Sequence, residues 1–300
     1  MVNRGRLRYD RCMDFTIVTP SFRQLEYLAC CISSVADQEG VEVEHLVQDG
    51  GTPGFDVFSE RMAKQWPDRP GYRRIMVSEK DGGMYDAINR GLQKASGQIC
   101  AYLNCDEQYL PGVLQVVLQR FRDSPETDVY LGDVLVVGPG GEAVCHRKMI
   151  RPGLAHTWTC HFGALTAGIF FRRKVVDLGV LFDTSYRAAA DADWFVRMLK
   201  RGIRVQTLGL TTTSFMESGE NLGLSRTAQQ ERERLSRSAP WWMRAMRPCW
   251  VLLHRMRRVL HGAHSREDVS YPLFFQDGKG RKDFYAARVR TTWPGRWWNY

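Results

Sequence analysis

The segments FTIVTPSF (residues 15–22), VEHLVQDGG (43–51), RIMV (74–77) and QICAYL (98–103) decide the fold. Each is a short apolar or β-branched run, which predicts a strand, and the first predicts a buried one. Apolar residues at helical spacing separate these runs: Leu25, Leu28, Ile32 and Val35, then Phe55, Phe58 and Met62, then Tyr85, Ile88, Leu92 and Ala95. Such strand–helix alternation predicts an α/β fold, with a mainly parallel, Rossmann-like sheet flanked by helices.

Polar residues follow each predicted strand, at the edge where parallel sheets bind ligands. These residues are Thr19 and Ser21, then Asp49, then Asp81, then Asn104, Asp106 and Glu107. Each group alone is also typical of a turn or a helix cap, but together they suit the hydroxyls and N–H donors of a nucleotide. The sequence lacks both G-x-G-x-x-G and Walker A, so a divalent ion such as Mg²⁺ or Mn²⁺ is expected to neutralise the phosphates.

The 300 residues divide into a neutral body and a basic tail. Residues 231–300 hold fifteen Lys and Arg against six acids, which accounts for the whole formal charge of +9. The tail also holds six of the nine tryptophans. We therefore predict one domain over residues 1–230 and a basic, Trp-rich extension over residues 231–300.

The cysteines and the hydropathy favour a cytoplasmic protein. Eight cysteines occur without a C-x-x-C pair, which suits reduced thiols better than a disulfide framework. No run approaches the roughly 18 apolar residues that a membrane-spanning helix needs. Residues 1–14 contain arginines but no apolar core, so we expect no secretory signal.

Five ordered segments resemble the family 2 glycosyltransferases, in particular the surface-polysaccharide branch that includes colanic-acid enzymes. They are FTIVTPSF (15–22), HLVQDGGT (45–52), SEKDGGMYDAINRG (78–91), ASGQICAYLNCDE (95–107) and GVLFDTSYRAAADADWFVR (179–197). The resemblance spans roughly residues 14–210. It implies a GT-A fold, a nucleotide-sugar donor, and a metal-assisted transfer that inverts the anomeric carbon.

The resemblance also implies roles for individual residues. Thr19, Ser21, Asp49, Asp81 and Asn104 would bind the donor, and Asp106 would bind the metal through its DxD-like motif. Asp191 would be the general base that deprotonates an acceptor hydroxyl. Asp193 and Arg197 follow on the same helical segment, and His161 precedes it, as further contacts to the acceptor or the site.

Two positions depart from the family pattern. Asn104 is neutral where the DxD motif begins with an acid, and Ala190 stands where many relatives have Glu. These departures leave open a non-catalytic scaffold that binds nucleotide-sugars at a membrane surface. A sugar-phosphate nucleotidyltransferase is a third alternative, but TPSF (19–22) lacks the Gly- and Arg-rich phosphate loop which that class needs.

The tail segment from Trp241 to Leu260 has five arginines, no acids and many large apolar residues. This composition favours a helix lying at an anionic membrane surface, here the inner face of the cell membrane. The family resemblance agrees, because it implies a glycan or lipid-linked acceptor. Pro248 is expected to divide the segment into two short helices. Packing against the body and single-stranded nucleic acid are the alternatives, and we expect no nucleic-acid partner.

Overall fold

A parallel sheet forms the first half of the chain, as the sequence predicts. The structure is a computed structural model that describes residues 13–217, 225–275 and 278–293. Strands β1 and β2 pair in parallel, as do β1 with β4 and β2 with β3. The elements are β1 (Phe15–Ser21), α1 (Leu25–Ala36), β2 (Val43–Asp49), α2 (Phe55–Gln65), β3 (Tyr72–Ser78), α3 (Met84–Gln93) and β4 (Ile99–Tyr102).

The second half of the chain extends this sheet to nine strands with mixed directions. Strand β8 runs antiparallel between β4 and β6, and β9 runs parallel to β6. The order is β3-β2-β1-β4-β8-β6-β9-β5, with β7 on β6. The elements are β5 (Glu107–Tyr109), α4 (Val113–Asp123), β6 (Val129–Val137), β7 (Ala143–Arg147), α5 (Leu154–Thr159), β8 (Ile169–Arg172), α6 (Lys174–Asp177), α7 (Ala190–Lys200) and β9 (Val205–Met216).

The C-terminal extension contains helices, as predicted, followed by a β-hairpin that the sequence analysis does not predict. Its elements are α8 (Arg226–Arg237), α9 (Trp241–Ala245), α10 (Arg247–Leu260), β10 (Arg266–Phe274) and β11 (Arg281–Arg290). The helical conformation is interrupted at Met246, between α9 and α10. Pro248 lies in the first turn of α10, where its missing N–H costs no helical hydrogen bond. The predicted boundary at residue 230 falls within α8, and the division into two units stays a prediction.

The hairpin packs on the body through apolar and polar contacts. Tyr271 and Leu273 lie against Leu135 and Val137 of β6. Arg281 pairs with Asp37 at the end of α1, with nitrogen–oxygen distances of 2.6 and 2.9 Å. These contacts attach the hairpin to the sheet and to the end of α1.

Some expectations lie outside the described residues, namely those for residues 1–12 and for Trp297 and Trp298. Within the described ranges, the seven cysteines all have free thiols. In the same ranges, every helix is too short or too polar to cross a membrane.

Gly97 makes the closest approach between the α3–β4 connection and β1. A Cβ atom there would collide with the backbone of Phe15 and Thr16, which cannot move without displacing β1. We expect Gly97→Ala to lower the free energy of unfolding by about 1–3 kcal/mol, the usual cost of overpacking. Urea denaturation measures this change in the free energy of unfolding. Gly280→Ala is the control, because its Cβ would meet open space, and an equal loss in both variants would contradict the steric explanation.

Candidate functional site

A deep cleft lies at the carboxyl ends of the parallel strands. Its volume of about 1970 Å³ exceeds the roughly 300–1,000 Å³ of typical ligand pockets, so it has room for two substrates. The cleft brings together six of the ten predicted site residues, from strand ends, loops and a helix start: Ser21, Asp81, Asn104, Asp106, His161 and Asp191.

The turn between β4 and β5 holds Asn104 and Asp106 at the cleft wall. Glu107, which is fully buried, accepts hydrogen bonds from the Asn104 backbone N–H (2.8 Å) and from its side-chain Nδ2 (3.0 Å). These bonds fix the Asn104 side chain with its Oδ1 buried and, among the described residues, without a hydrogen-bond donor. Burial raises the pKa of both Asp106 and Glu107, and the Asp106 charge raises the pKa of Glu107 further.

This turn fits a hard divalent ion. Carboxylate and amide oxygens are the ligands that Mg²⁺ and Mn²⁺ prefer, and a buried carbonyl oxygen without a donor is costly unless a cation or water satisfies it. The neutral Asn104 therefore still offers one oxygen beside the Asp106 carboxylate.

Asp191 lies in the first turn of α7 and lines the cleft. The helix begins one residue before it, at Ala190, so Asp191 is inside the helix rather than its N-cap. Its Oδ1 accepts a hydrogen bond of 2.9 Å from the Ala192 N–H. Burial raises the pKa of Asp191 to about 6, which keeps a basic carboxylate at neutral pH.

Glu231 is a supporting residue that the sequence reasoning missed. From α8, its carboxylate accepts hydrogen bonds from three consecutive backbone N–H groups, those of Arg187 (2.6 Å), Ala188 (2.9 Å) and Ala189 (3.0 Å). It thereby fixes the loop that leads into α7. Because residue 190 is an alanine, the start of α7 lacks the carboxylate that a glutamate would provide there. Glu231, about forty residues later in the chain, provides a carboxylate near the same helix start.

Two predicted donor-binding residues, Thr19 and Asp49, are fully buried and lie off the cleft wall. Thr19 Oγ1 hydrogen-bonds His45 Nε2 at 2.9 Å. Asp49 accepts hydrogen bonds from the backbone N–H groups of Gly51 and Thr52, and from the hydroxyls of Thr52 and Ser78. Asp49 thus holds the loop after β2 against the end of β3, and its contact with a donor stays a prediction.

Asp193 and Arg197 also lie off the cleft wall. They form an ion pair on α7 at 2.7 Å, and Arg197 Nη2 donates to the Leu181 carbonyl at 2.7 Å. This pair holds α7 to the preceding loop, so a direct role with the acceptor stays a prediction.

Basic side chains line much of the cleft, and most come from the C-terminal helices. They are Lys80, Arg187, Arg232, Arg237, Arg244 and Arg247. Guanidinium groups bind phosphate oxygens in a planar, often bidentate geometry. The sequence signal for the last four is the excess of positive charge after residue 230, for which the sequence analysis favours a membrane surface rather than a ligand site.

Comparisons with known proteins relate this chain to glycosyltransferases. The sequence profile of glycosyl transferase family 2 matches residues 16–179. A PGL/p-HBAD biosynthesis glycosyltransferase of Mycobacterium bovis is 26% identical over 255 residues, which cover 83% of this chain and 93% of that protein. The uncharacterized glycosyltransferase Rv1514c of Mycobacterium tuberculosis is 35% identical over 95 residues, or 31% of this chain.

Two solved structures share the fold. S. aureus TarS 1-349 in complex with UDP-GlcNAc superposes with a TM-score of 0.55 at 16% identity, over 74% of this chain and 64% of that one. The mannosyltransferase PcManGT of Pyrobaculum calidifontis, in complex with GDP-Man and Mn²⁺, superposes with a TM-score of 0.51 at 14% identity, over 82% of this chain and 76% of that one. This chain thus spans less than two thirds of the TarS chain. The likeness confirms the predicted GT-A-like α/β fold.

Proposed function

The chain belongs to glycosyl transferase family 2, and from this membership we propose that it is an inverting, metal-assisted enzyme with Asp191 as general base. Its donor would be a nucleoside-diphosphate sugar, and its acceptor a glycan or a lipid-linked sugar of the surface-polysaccharide kind. The observation that carries the proposal is the cleft itself, which joins Asp191 with the Asn104–Asp106 turn.

Asp191 would take the proton from the acceptor hydroxyl. A carboxylate with a pKa of about 6 is a stronger base than an ordinary aspartate, yet it remains largely deprotonated at pH 7. Its place in the first turn of α7 and the Glu231 bonds to the preceding loop restrict where its oxygens can lie. A hydroxyl activated in this way attacks the anomeric carbon directly, and a single displacement inverts that carbon.

Asn104 and Asp106 would hold Mn²⁺ or Mg²⁺. When bound, such an ion neutralises the negative charge that develops on the departing diphosphate. Lys80, Arg187 and Arg232 line the same cleft and would bind the phosphate oxygens directly.

A donor screen tests the function. The purified chain is incubated with UDP-, GDP- and dTDP-sugars and Mn²⁺, and release of the nucleoside diphosphate is measured with and without glycan acceptors. We expect release from donors that share one base, and faster release with an acceptor. No release from any donor by the folded protein would favour the non-catalytic scaffold.

We also propose that α9 and α10 lie on an anionic membrane surface next to the cleft. Among the described residues of these two helices, only His254 and Arg258 are buried. The large apolar side chains instead face out, and Trp241, Leu252 and Leu260 are 75%, 61% and 80% exposed. A helix that buries polar groups and exposes apolar ones suits the headgroup layer, with exposed arginines attracted to anionic lipid. Arg244 and Arg247 connect this surface with the cleft.

The double variant Leu252→Glu/Met256→Glu should lose binding to anionic liposomes in a sedimentation assay. Both side chains are more than half exposed, so the fold should tolerate the change. The control is Val57→Glu, an equally exposed apolar residue on α2, which should bind like the wild type. Wild-type binding should also weaken as salt rises, because salt screens the arginine–lipid attraction. Unchanged binding by the double variant would contradict the membrane proposal, as would dimerisation of the wild type through this surface without liposome binding.

A further inference from the structure

Two histidines in and after α5 meet a third, from α10, beside the cleft. His156 is on α5, His161 follows α5, and His254 is on α10. The His156 and His254 rings stack in parallel with centroids 3.9 Å apart. The His161 ring stands nearly perpendicular to both, at 4.5 Å from His156 and 5.3 Å from His254. One ring nitrogen from each histidine lies within 4.8 Å of the other two.

Two buried nitrogen atoms of this cluster are available to bind a ligand. The Nε2 atoms of His156 and His254 are buried, and the described residues provide no hydrogen-bond partner for either. Leaving such atoms unsatisfied is costly, and it is rare in folded proteins. Stacked imidazoles cannot satisfy one another, because their N–H bonds and lone pairs lie in two parallel ring planes and do not point at each other.

The helix α10 is weakly attached without such a ligand. Its buried side chains, His254 and Arg258, are both polar, and its apolar residues face outward. Apolar burial, which fastens most helices to their domains, therefore contributes little here. The contacts between α10 and the body run largely through α5, the helix that carries His156.

We propose that His156, His161 and His254 bind a transition-metal ion, Zn²⁺ by preference, which fastens α10 to the wall of the cleft. Three imidazole nitrogens are a common zinc set, with Zn–N distances of about 2.0–2.1 Å, so the rings must turn from their stacked arrangement when the ion binds. Imidazole selects Zn²⁺, Cu²⁺ or Ni²⁺, whereas the oxygen ligands at Asn104 and Asp106 select Mg²⁺ or Mn²⁺. The chain thus has two sites of different chemistry.

Burial, more than charge, sets the protonation of the cluster, and Arg147, Arg257 and Arg258 are the cationic groups facing it. Burial lowers the pKa of His156 to about 4, with a smaller contribution from Arg257. It lowers the pKa of His254 to about 3, with smaller contributions from His156 and the three arginines. The pKa of His161 is lowered to about 2, first by burial. All three rings are then neutral at pH 7, which is the form that binds metal. The same arginines repel a dication, so the affinity should be lower than that of a thiolate site.

Metal titration of the full chain, purified without a polyhistidine tag and stripped with chelator, tests the proposal. Co²⁺ is the optical probe, and excess Mg²⁺ occupies the oxygen site. We expect one equivalent of Co²⁺ to give the visible absorption of a tetrahedral site, and Zn²⁺ to displace it. At a hundredfold excess over its dissociation constant, Zn²⁺ should raise Tm by about 5 °C or more.

Two variants locate the site. His254→Gln should lose both the absorption and the Tm rise, whereas His261→Gln, which changes an exposed histidine just after α10, should keep both. Stripped wild type should also be cut faster by trypsin at the arginines of α10. Absence of Co²⁺ and Zn²⁺ binding by the folded wild type would overturn the proposal, and so would full binding by His254→Gln. Should His254→Gln fail to fold, the wild-type titration and trypsin assay still decide. All readouts are independent of sugar transfer.

Discussion

Asp191→Asn should lower the rate of sugar transfer by about 10²–10⁴-fold, the usual contribution of a positioned general base. The amide keeps the shape and the hydrogen bond to the Ala192 N–H but cannot accept the acceptor proton. Donor binding should stay within a few-fold of the wild type, because Asp191 lies on α7, whereas the proposed phosphate and metal ligands lie on other elements.

The comparison is made by steady-state kinetics with the preferred donor, together with calorimetric donor affinity. Asp177→Asn is the control, because it removes an exposed carboxylate of α6 that lies off the cleft wall. It should transfer at the wild-type rate. Transfer by Asp191→Asn at the wild-type rate would show that another group is the base.

The pH dependence of the transfer rate is a second test of Asp191. Burial raises the pKa of Asp191 to about 6, so the carboxylate is protonated and inactive below that pH. The transfer rate should therefore fall as the pH drops through 6, and this limb should be absent from the residual activity of Asp191→Asn. An acid limb near pH 4, where an ordinary aspartate titrates, would contradict the buried environment described for Asp191.

Asp106→Asn should abolish the metal dependence of nucleoside-diphosphate binding. Asp106 supplies the carboxylate of the site and Asn104 a neutral oxygen, so the variant leaves the ion without a negatively charged side chain from these two residues. Loss of an outer-shell partner costs roughly 10–100-fold in metal affinity, and loss of this ligand should cost more. The converse variant Asn104→Asp should tighten Mn²⁺ binding, since it restores a second carboxylate.

Calorimetry of UDP, GDP and dTDP with Mn²⁺ and with EDTA measures this effect. Asp56→Asn, which removes an exposed carboxylate of α2, is the control and should bind like the wild type. Equal metal dependence in Asp106→Asn and the wild type would show that the ion binds elsewhere.

The first half of the fold could be predicted from the sequence because its signals are local. Each of the strands β1 to β4 is a short apolar run, and the helix after β2 buries the three residues whose spacing predicted it, Phe55, Phe58 and Met62. The second half depends on pairings between distant segments. The insertion of β8 between β4 and β6 and the β10–β11 hairpin have no local signature, so the sequence analysis missed both.

The site residues also divide into those that have a local sequence signal and those that have none. The rule that ligands bind at the carboxyl ends of parallel strands led to Asp81, Asn104 and Asp106, and the family resemblance added Asp191. The same rule includes Asp49, but it does not reveal that a side chain at a strand end folds back onto its own loop. Glu231 and His254 lie on C-terminal helices, and nothing in the local sequence indicates which distant loop or ring they contact.

The titration of the wild-type chain with nucleoside diphosphates is the most direct test of the central claim that this cleft binds a nucleotide-sugar donor through a divalent ion. We expect one of UDP, GDP and dTDP to bind with Mn²⁺ and to lose most of its affinity in EDTA. Failure of all three to bind to the folded protein, or equal binding with EDTA, would contradict the claim.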